Sequence, residues 1–160
     1  MKLPDVLEPG LRIVFCGTAA GTVSARAGAY YAGPGNQFWP TLHQIGLTPR
    51  QLRPSEYPDL PRYGIGLTDV CKAKAGPDRG LGSGGFDVPR LIVLLEQHRP
   101  HAIAFNGKRA AQIVLGRNVD YGPQHERIAG ARVFVLPSTS GAARGFWDVR
   151  HWQELAAAVR

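Results

Sequence analysis

The stretch LRIVFC at residues 11–16 is a nearly continuous run of apolar side chains. A strand buried on both faces of a parallel sheet has this pattern, whereas a half-exposed strand alternates polar and apolar residues. Similar runs occur as HAIAF at residues 101–105 and RVFVL at residues 132–136, with a shorter one at residues 65–67. The sequence therefore predicts a central sheet of four mostly parallel strands.

Helical patterns separate these strands. Four helices are predicted. One begins near Asn36, one begins after Asp87, one covers Lys108–Leu115 and the last covers residues 148–159. A further short helix is predicted where Thr48 would be the N-cap and Pro49 the first helical residue. Residues 73–85 contain five glycines and are predicted to form a mobile surface loop. This alternation indicates an α/β fold, a three-layer α/β/α sandwich, and we expect one domain over residues 1–160.

The charge and composition of the chain limit its partners and its location. A formal net charge of +7 favours a polyanionic partner such as nucleic acid, although a generically basic soluble protein remains the alternative. No apolar run approaches the roughly 20 residues of a membrane span. The first ten residues hold two prolines and two acids, unlike a signal peptide. We expect no membrane partner and a cytoplasmic protein, nucleoid-associated if it is bacterial.

The cysteines exclude several cofactors. The two in the chain, Cys16 and Cys71, are far apart in sequence and belong to no Cys/His cluster. A four-cysteine iron–sulfur or zinc site cannot be built from them within one chain. Cys16 ends an apolar strand and is interpreted as a small buried hydrophobic residue.

Ligands of open α/β sheets bind outside the carboxyl ends of the strands. Four segments of this chain follow predicted strands and fall on that rim: residues 17–21, 68–72, 106–108 and 137–144. We therefore expect the functional site to be assembled from these segments.

The same segments resemble the mismatch-specific uracil/thymine DNA glycosylases of the uracil-DNA glycosylase superfamily. The resemblance rests on FCG (15–17), YAGPGNQFW (31–39), YGIGLTDV (63–70), AFNGK (104–108) and LPSTSG (136–141), in the family's order and spacing. It implies a monomeric, monofunctional glycosylase without metal or organic cofactor. Such an enzyme flips uracil or a related lesion out of DNA and hydrolyses its N-glycosidic bond, because a base inside the duplex cannot be attacked at its sugar.

The resemblance also assigns a base-binding pocket to Phe15, Gly17, Tyr31 and Asn106. Tyr31 matches the family's stacking aromatic, and base–aromatic stacking contributes about 1–3 kcal/mol. The alternative is a tyrosine of the hydrophobic core. A ring that lies between Gly28 and Gly33, however, has little regular structure around it to bury it.

Three polar residues are candidates for catalysis: Asn36, Asp69 and Thr18. Asn36 matches an asparagine of the family's pocket wall, and its amide suits a pyrimidine edge, although it is equally suited to capping a helix. Asp69 could accept the N3–H of uracil, orient or deprotonate the attacking water, or cap the turn after its strand.

The first rim segment departs from the family. Its sequence is GTAAG, and Ala19 stands where the family carries the asparagine, or in related families the aspartate, that positions the attacking water. A methyl group cannot orient water, and loss of such a group typically lowers the rate by about 10²–10⁴. Three interpretations remain: another side chain holds the water, catalysis rests on stabilising the uracil anion, or the protein binds lesions without cutting them.

The last rim segment resembles the loop that presses into the duplex. DNA contacts are expected from Lys108 and from Ser138, Thr139, Ser140, Gly141, Ala142, Ala143 and Arg144. Family members often place a bulky residue in this loop, where this chain has glycine and alanine. We therefore expect base extrusion to depend on the instability of the lesion itself.

Overall fold

The strands of the computed structural model, which describes residues 3–72 and 85–160, form one sheet of five. They are β1 (Ile13–Gly17), β2 (Ile65–Asp69), β3 (Ala102–Asn106), β4 (Gly122–Ile128) and β5 (Ala131–Leu136). Their spatial order is β2-β1-β3-β5-β4. β1 pairs in parallel with β2 and β3, and β5 pairs in parallel with β3. The mostly parallel α/β sheet predicted from the sequence is thus confirmed.

The count of four strands was wrong, because β4 completes the sheet as an antiparallel edge strand beside β5. Its sequence, GPQHERI, is polar at its centre, and only its two end residues are buried. Such a strand has no apolar run by which to find it. The hairpin turn at Ala129 and Gly130 uses φ angles of 50° and 82°, the positive values that a tight two-residue hairpin requires.

Five α-helices and two 3₁₀ helices connect the strands within the described residues. The α-helices are α1 (Thr22–Ala27), α2 (Phe38–Gln44), α3 (Val88–His98), α4 (Lys108–Leu115) and α5 (Val149–Val159). The 3₁₀ helices cover Pro54–Tyr63 and Gly141–Phe146. Asp87 and Asp148 cap α3 and α5, each accepting a backbone N–H at 3.0 Å. α2 to α5 confirm the predicted helices.

Two local predictions failed. α1 forms over a segment in which the sequence analysis predicted no helix. Around Pro49 the chain turns without forming a helix, because the Thr48 hydroxyl donates to the Arg50 carbonyl at 2.8 Å and does not cap a helix N-terminus. The predicted glycine-rich loop at residues 73–85 lies, except for Gly85, outside the described residues.

Side chains alternate between the two faces of the sheet and build a separate core on each. In β1, Phe15 joins the core on one face, together with Trp152 of α5, and Cys16 joins the core on the other, together with Leu91 of α3. The three-layer sandwich is therefore confirmed, and it brings the carboxyl ends of four parallel strands to one edge. No helix within residues 3–72 and 85–160 has the length and apolar character needed to cross a bilayer.

Candidate active site

A cleft of about 670 Å³ opens at the carboxyl ends of the parallel strands. This volume is within the range of sites that hold one small molecule, about 300–1,000 Å³. Most of the predicted site residues line it: Gly17, Thr18, Tyr31, Asn36, Asp69, Asn106, Lys108, Ser138, Thr139, Ser140, Gly141, Ala142 and Ala143. The topology thus brings together the four rim segments, as the sequence predicted.

Asp69 forms the floor of this cleft. It ends β2 directly beside its register partner Gly17 in β1, and it is 2% exposed. Its Oδ2 accepts a hydrogen bond from Lys72 Nζ at 3.0 Å. Its Oδ1 lies 2.9 Å from the position that a Cβ on Gly17 would occupy, so only glycine leaves room for this carboxylate. Burial raises the pKa of Asp69, and the Lys72 ammonium opposes that shift.

A charged cluster lies behind Asp69. The Asp5 carboxylate contacts Lys72 Nζ at 3.3 Å, accepts the Thr68 hydroxyl at 2.7 Å and pairs with the Arg90 guanidinium. Arg90 also donates to the backbone carbonyl of Asp69 at 3.3 Å. Sequence reasoning assigned no role to Asp5, Lys72 or Arg90. Lys72 could have been found from its i+3 spacing to Asp69, but nothing local connects Asp5 to this site.

Tyr31 presents an aromatic ring to the cleft. Its backbone has a φ of 53°, uncommon for a residue with a side chain. The ring packs against Phe38, with centroids 4.1 Å apart and planes tilted by 33°. The hydroxyl is buried with no hydrogen-bond partner among the described residues, and it lies 3.5 Å from the Cβ position of Gly17. Burial, and then the Asp69 charge, raise the pKa of Tyr31.

The two asparagines of the cleft both carry structural hydrogen bonds. Asn36 Oδ1 accepts the backbone N–H of Phe38 at 3.0 Å, and its NH₂ group can donate to a ligand. The N-cap of α2 is Gln37, so Asn36 holds the turn before the helix and is not its cap. Asn106 donates to the Thr139 hydroxyl and accepts the Thr139 N–H, each at 3.0 Å. This reciprocal pair fixes the loop that follows β5 to the end of β3.

Three predicted residues differ from expectation. Phe15 is fully buried between Phe38 and Trp152, at centroid distances of 5.3 and 5.4 Å, and does not line the cleft. Its position in the middle of a strand buried on both faces explains why. Thr139 is 1% exposed, and its hydroxyl bonds to Asn106, so it holds the loop and cannot reach a phosphate. Arg144 is exposed but lies outside the cleft, over Gly35.

The loop after β5 carries a bulky residue that the sequence analysis missed. Phe146 ends the 3₁₀ helix Gly141–Phe146, lines the mouth of the cleft and is 73% exposed. Val23, which is 47% exposed, lines the same mouth. The signal was an aromatic pair, Phe146 and Trp147, that begins two positions beyond the predicted end of the loop at Arg144.

The remaining predicted groups surround the cleft. Lys108 begins α4, and its Nζ lies 4.5 Å from the ring centroid of Tyr121. The Ser140 hydroxyl accepts the Ala142 N–H at 3.2 Å, and the Thr18 carbonyl accepts the Cys71 N–H at 2.7 Å. In the ranges 3–72 and 85–160, no three His, Cys, Asp or Glu side chains are grouped to hold a metal ion.

Two comparisons identify the relatives of this chain. The model of the Uracil DNA glycosylase superfamily matches residues 4–157. The chain is also similar to a protein from Methanosarcina acetivorans, designated a uracil DNA glycosylase, whose solution NMR structure is known. The two share 26% sequence identity and superpose with a TM-score of 0.66, over 99% of this chain and 95% of the other. Membership of this superfamily implies base excision of the DNA glycosylase type. Because its model matches nearly the whole chain, the chain belongs to the Uracil DNA glycosylase superfamily.

Proposed function

We propose that this protein is a monomeric, monofunctional uracil-DNA glycosylase of the mismatch-specific type. The observation that carries the proposal is the buried Asp69 carboxylate, whose Oδ1 lies beside Gly17 on the floor of a cleft of nucleoside size. The likeness of five sequence segments to the mismatch-specific branch supports the subfamily.

The first task of the cleft is to hold a flipped base. Tyr31 offers a ring already packed against Phe38, so that stacking on it needs no ordering of the side chain. Asn36 can donate its NH₂ group to a pyrimidine carbonyl while its oxygen accepts the Phe38 N–H. These contacts select a base that has left the duplex, and that extrusion is easiest for a mispaired or damaged nucleotide.

The second task is to deliver water to the sugar. Ala19 lines the cleft without a polar group, and Asp69 is the carboxylate that can replace the missing amide. Asp69 Oδ1 accepts a proton from water as the water oxygen attacks C1′ of the deoxyribose. The bond from C1′ to N1 of uracil breaks, its electron pair leaves with the base, and the uracil anion later takes a proton. General-base assistance of this kind contributes about 10²–10⁴ in rate.

The DNA backbone is then held around the mouth of the cleft. Lys108 and Arg144 supply positive charge. The hydroxyls of Ser138 and Ser140 each accept a backbone N–H within the loop and can donate their own hydrogens to phosphate oxygens. These contacts set position and salt dependence without reading sequence.

A cleavage assay tests the proposal. Oligonucleotides that contain uracil, hypoxanthine, a thymine mismatch or etheno-cytosine are incubated in single- and double-stranded form, and abasic sites are detected by alkali. We expect cleavage of uracil substrates that is lost in Asp69→Ala and kept in Asp120→Asn, a matched removal of an exposed carboxylate outside the cleft.

A uracil-DNA binding protein without catalysis is the second candidate, and the methyl group of Ala19 is the observation that favours it. Such a protein would retard uracil-containing DNA in a gel and leave no alkali-labile site. That combination would refute the enzymatic proposal while retaining the cleft as a binding site.

A further inference from the structure

We propose that Lys72, held between Asp5 and Asp69, is a positioning residue that keeps the Asp69 carboxylate ionised and directs its Oδ1 into the cleft. This inference rests on the proposed role of Asp69 as the base. It adds a second carboxylate, that of Asp5, whose effect on Asp69 is opposite to that of Lys72.

The geometry around Lys72 fixes the orientation of Asp69. The Lys72 side chain is only 11% exposed, and its Nζ contacts Asp69 Oδ2 at 3.0 Å, Asp5 Oδ1 at 3.3 Å and the Tyr30 hydroxyl. Because the ammonium holds Oδ2, the other oxygen of Asp69 is the one that faces Gly17 and the cleft. A base whose second oxygen is fixed keeps its reactive oxygen in one place.

The electrostatics of the cluster follow from the groups that face Asp69. Lys72 follows β2, Asp5 belongs to the N-terminal segment and Arg90 belongs to α3. Cys16 of β1, Tyr30 and Tyr31 also face it, and burial raises the pKa of each, so they stay neutral. Lys72 and Arg90 therefore favour the ionised form of Asp69, while burial and Asp5 oppose it.

The N-terminal segment delivers Asp5 to this position. Val6 pairs with Leu67 by two backbone hydrogen bonds of 2.9 Å, and the Tyr30 hydroxyl donates to the Pro4 carbonyl at 3.0 Å. The segment thus lies along the outer edge of β2 and places a carboxylate on the far side of Lys72. Two carboxylates and two cations balance in this cluster, which allows charged groups to be buried.

Opposite shifts of the pH profile test this arrangement. Single-turnover cleavage of uracil-containing DNA rises with pH as Asp69 ionises. In Lys72→Gln the acid limb of the profile of rate against pH should move to higher pH by about one pH unit or more, because the positive charge in contact with Asp69 has been removed. In Asp5→Asn it should move to lower pH, since a like charge has been removed. Lys72→Arg should keep the parental limb, and DNA affinity should be unchanged in all three.

The proposal would be overturned if the acid limb stayed at the parental pH in both Lys72→Gln and Asp5→Asn. A purely structural role would lower the rate in these variants without shifting their acid limbs in opposite directions. The pH titration of the Asp69 carboxyl carbon, followed by NMR without DNA, gives the same comparison for a protein that does not cleave. It therefore separates failure of this inference from failure of the proposed function. If Lys72→Gln does not fold, Asp5→Asn still tests the proposal, because an acid limb that stays at the parental pH in that variant would overturn it.

Discussion

Gly17 and Asp69 are register partners at the ends of β1 and β2, and the carboxylate of Asp69 fills the space that a side chain on Gly17 would need. A Cβ at Gly17 would lie 2.9 Å from Asp69 Oδ1, closer than real Cβ contacts allow. The turn that lacks the usual water-binding amide at Ala19 thus begins with a residue that makes room for another acceptor. This relationship supports the proposal that Asp69 takes over the attacking water.

Gly17→Ala should displace the Asp69 carboxylate and lower single-turnover cleavage by about 10- to 100-fold, as expected for a catalytic group moved by about 1 Å. Gly21→Ala is the matched control in the same turn, since its φ is −67° and no atom lies within 4 Å of its Cβ position. Equal rates for the two variants would show that the space beside Asp69 is not needed.

Tyr31 combines a ring and a hydroxyl whose roles two substitutions separate. Tyr31→Ala should weaken binding of a flipped base by about 1–3 kcal/mol, the contribution of one stacked ring. Tyr31→Phe keeps the ring and removes a buried hydroxyl that has no partner among the described residues, so the melting temperature should hold or rise. Comparable loss of cleavage in both variants would move the essential role to the hydroxyl.

The exposed aromatic ring of Phe146 predicts a wedge at the mouth of the cleft. Apolar side chains that enter between base steps support extrusion, and the ring is 73% exposed in the free protein. Phe146→Ala should slow cleavage of paired uracil by about tenfold, equivalent to about 1.4 kcal/mol of lost stacking. Single-stranded substrate needs no wedge and should be cut at the parental rate.

The control for Phe146 is Val93→Ala, which removes another exposed apolar side chain, on α3. A Phe146→Ala variant that slowed on single and double strands alike would instead assign the ring to the pocket.

The physical reasons for success and failure of the sequence analysis differ by segment. Buried parallel strands such as β1 are visible as apolar runs, and the topology then forces Gly17, Asp69 and Asn106 to one rim. β4 was missed because an edge strand needs few apolar residues. Asp5 was missed because its partnership with Lys72 spans most of the N-terminal half of the chain and exists only after β2 has paired.

The positive charge around the cleft predicts a strong salt dependence of DNA binding. Lys108→Ala and Arg144→Ala should each lower the slope of log affinity against log salt by about 0.9, the value for one phosphate contact on duplex DNA. Arg50→Ala is the control, because Arg50 is exposed and paired with Glu56 away from the cleft. If all three variants and the parent had the same slope, Lys108 and Arg144 would not contact phosphates, and the DNA would bind at another surface.

The substitution of Ala19 for the usual asparagine sets the last prediction. If Asp69 has taken over the attacking water, Asp69→Ala should lower single-turnover cleavage by at least about tenfold, and by about 10²–10⁴ if it acts as a general base. Asp69→Asn separates the two roles, because an amide can position water but cannot accept its proton. Retained activity in the asparagine variant supports positioning, and its loss supports base catalysis.

Ala19→Asn supplies the complementary test, because it restores the amide to the rim where the family carries it. Added to Asp69→Ala, it should recover much of the lost rate if the two positions serve one water molecule. Added to the parent, it should change little if Asp69, whose Oδ2 is held by Lys72, holds the water as proposed. Should Asp69→Ala cleave at the parental rate, Asp69 is structural. The candidates for holding the water are then Asn36 and the Thr18 hydroxyl, the two other polar side chains proposed for catalysis in this cleft.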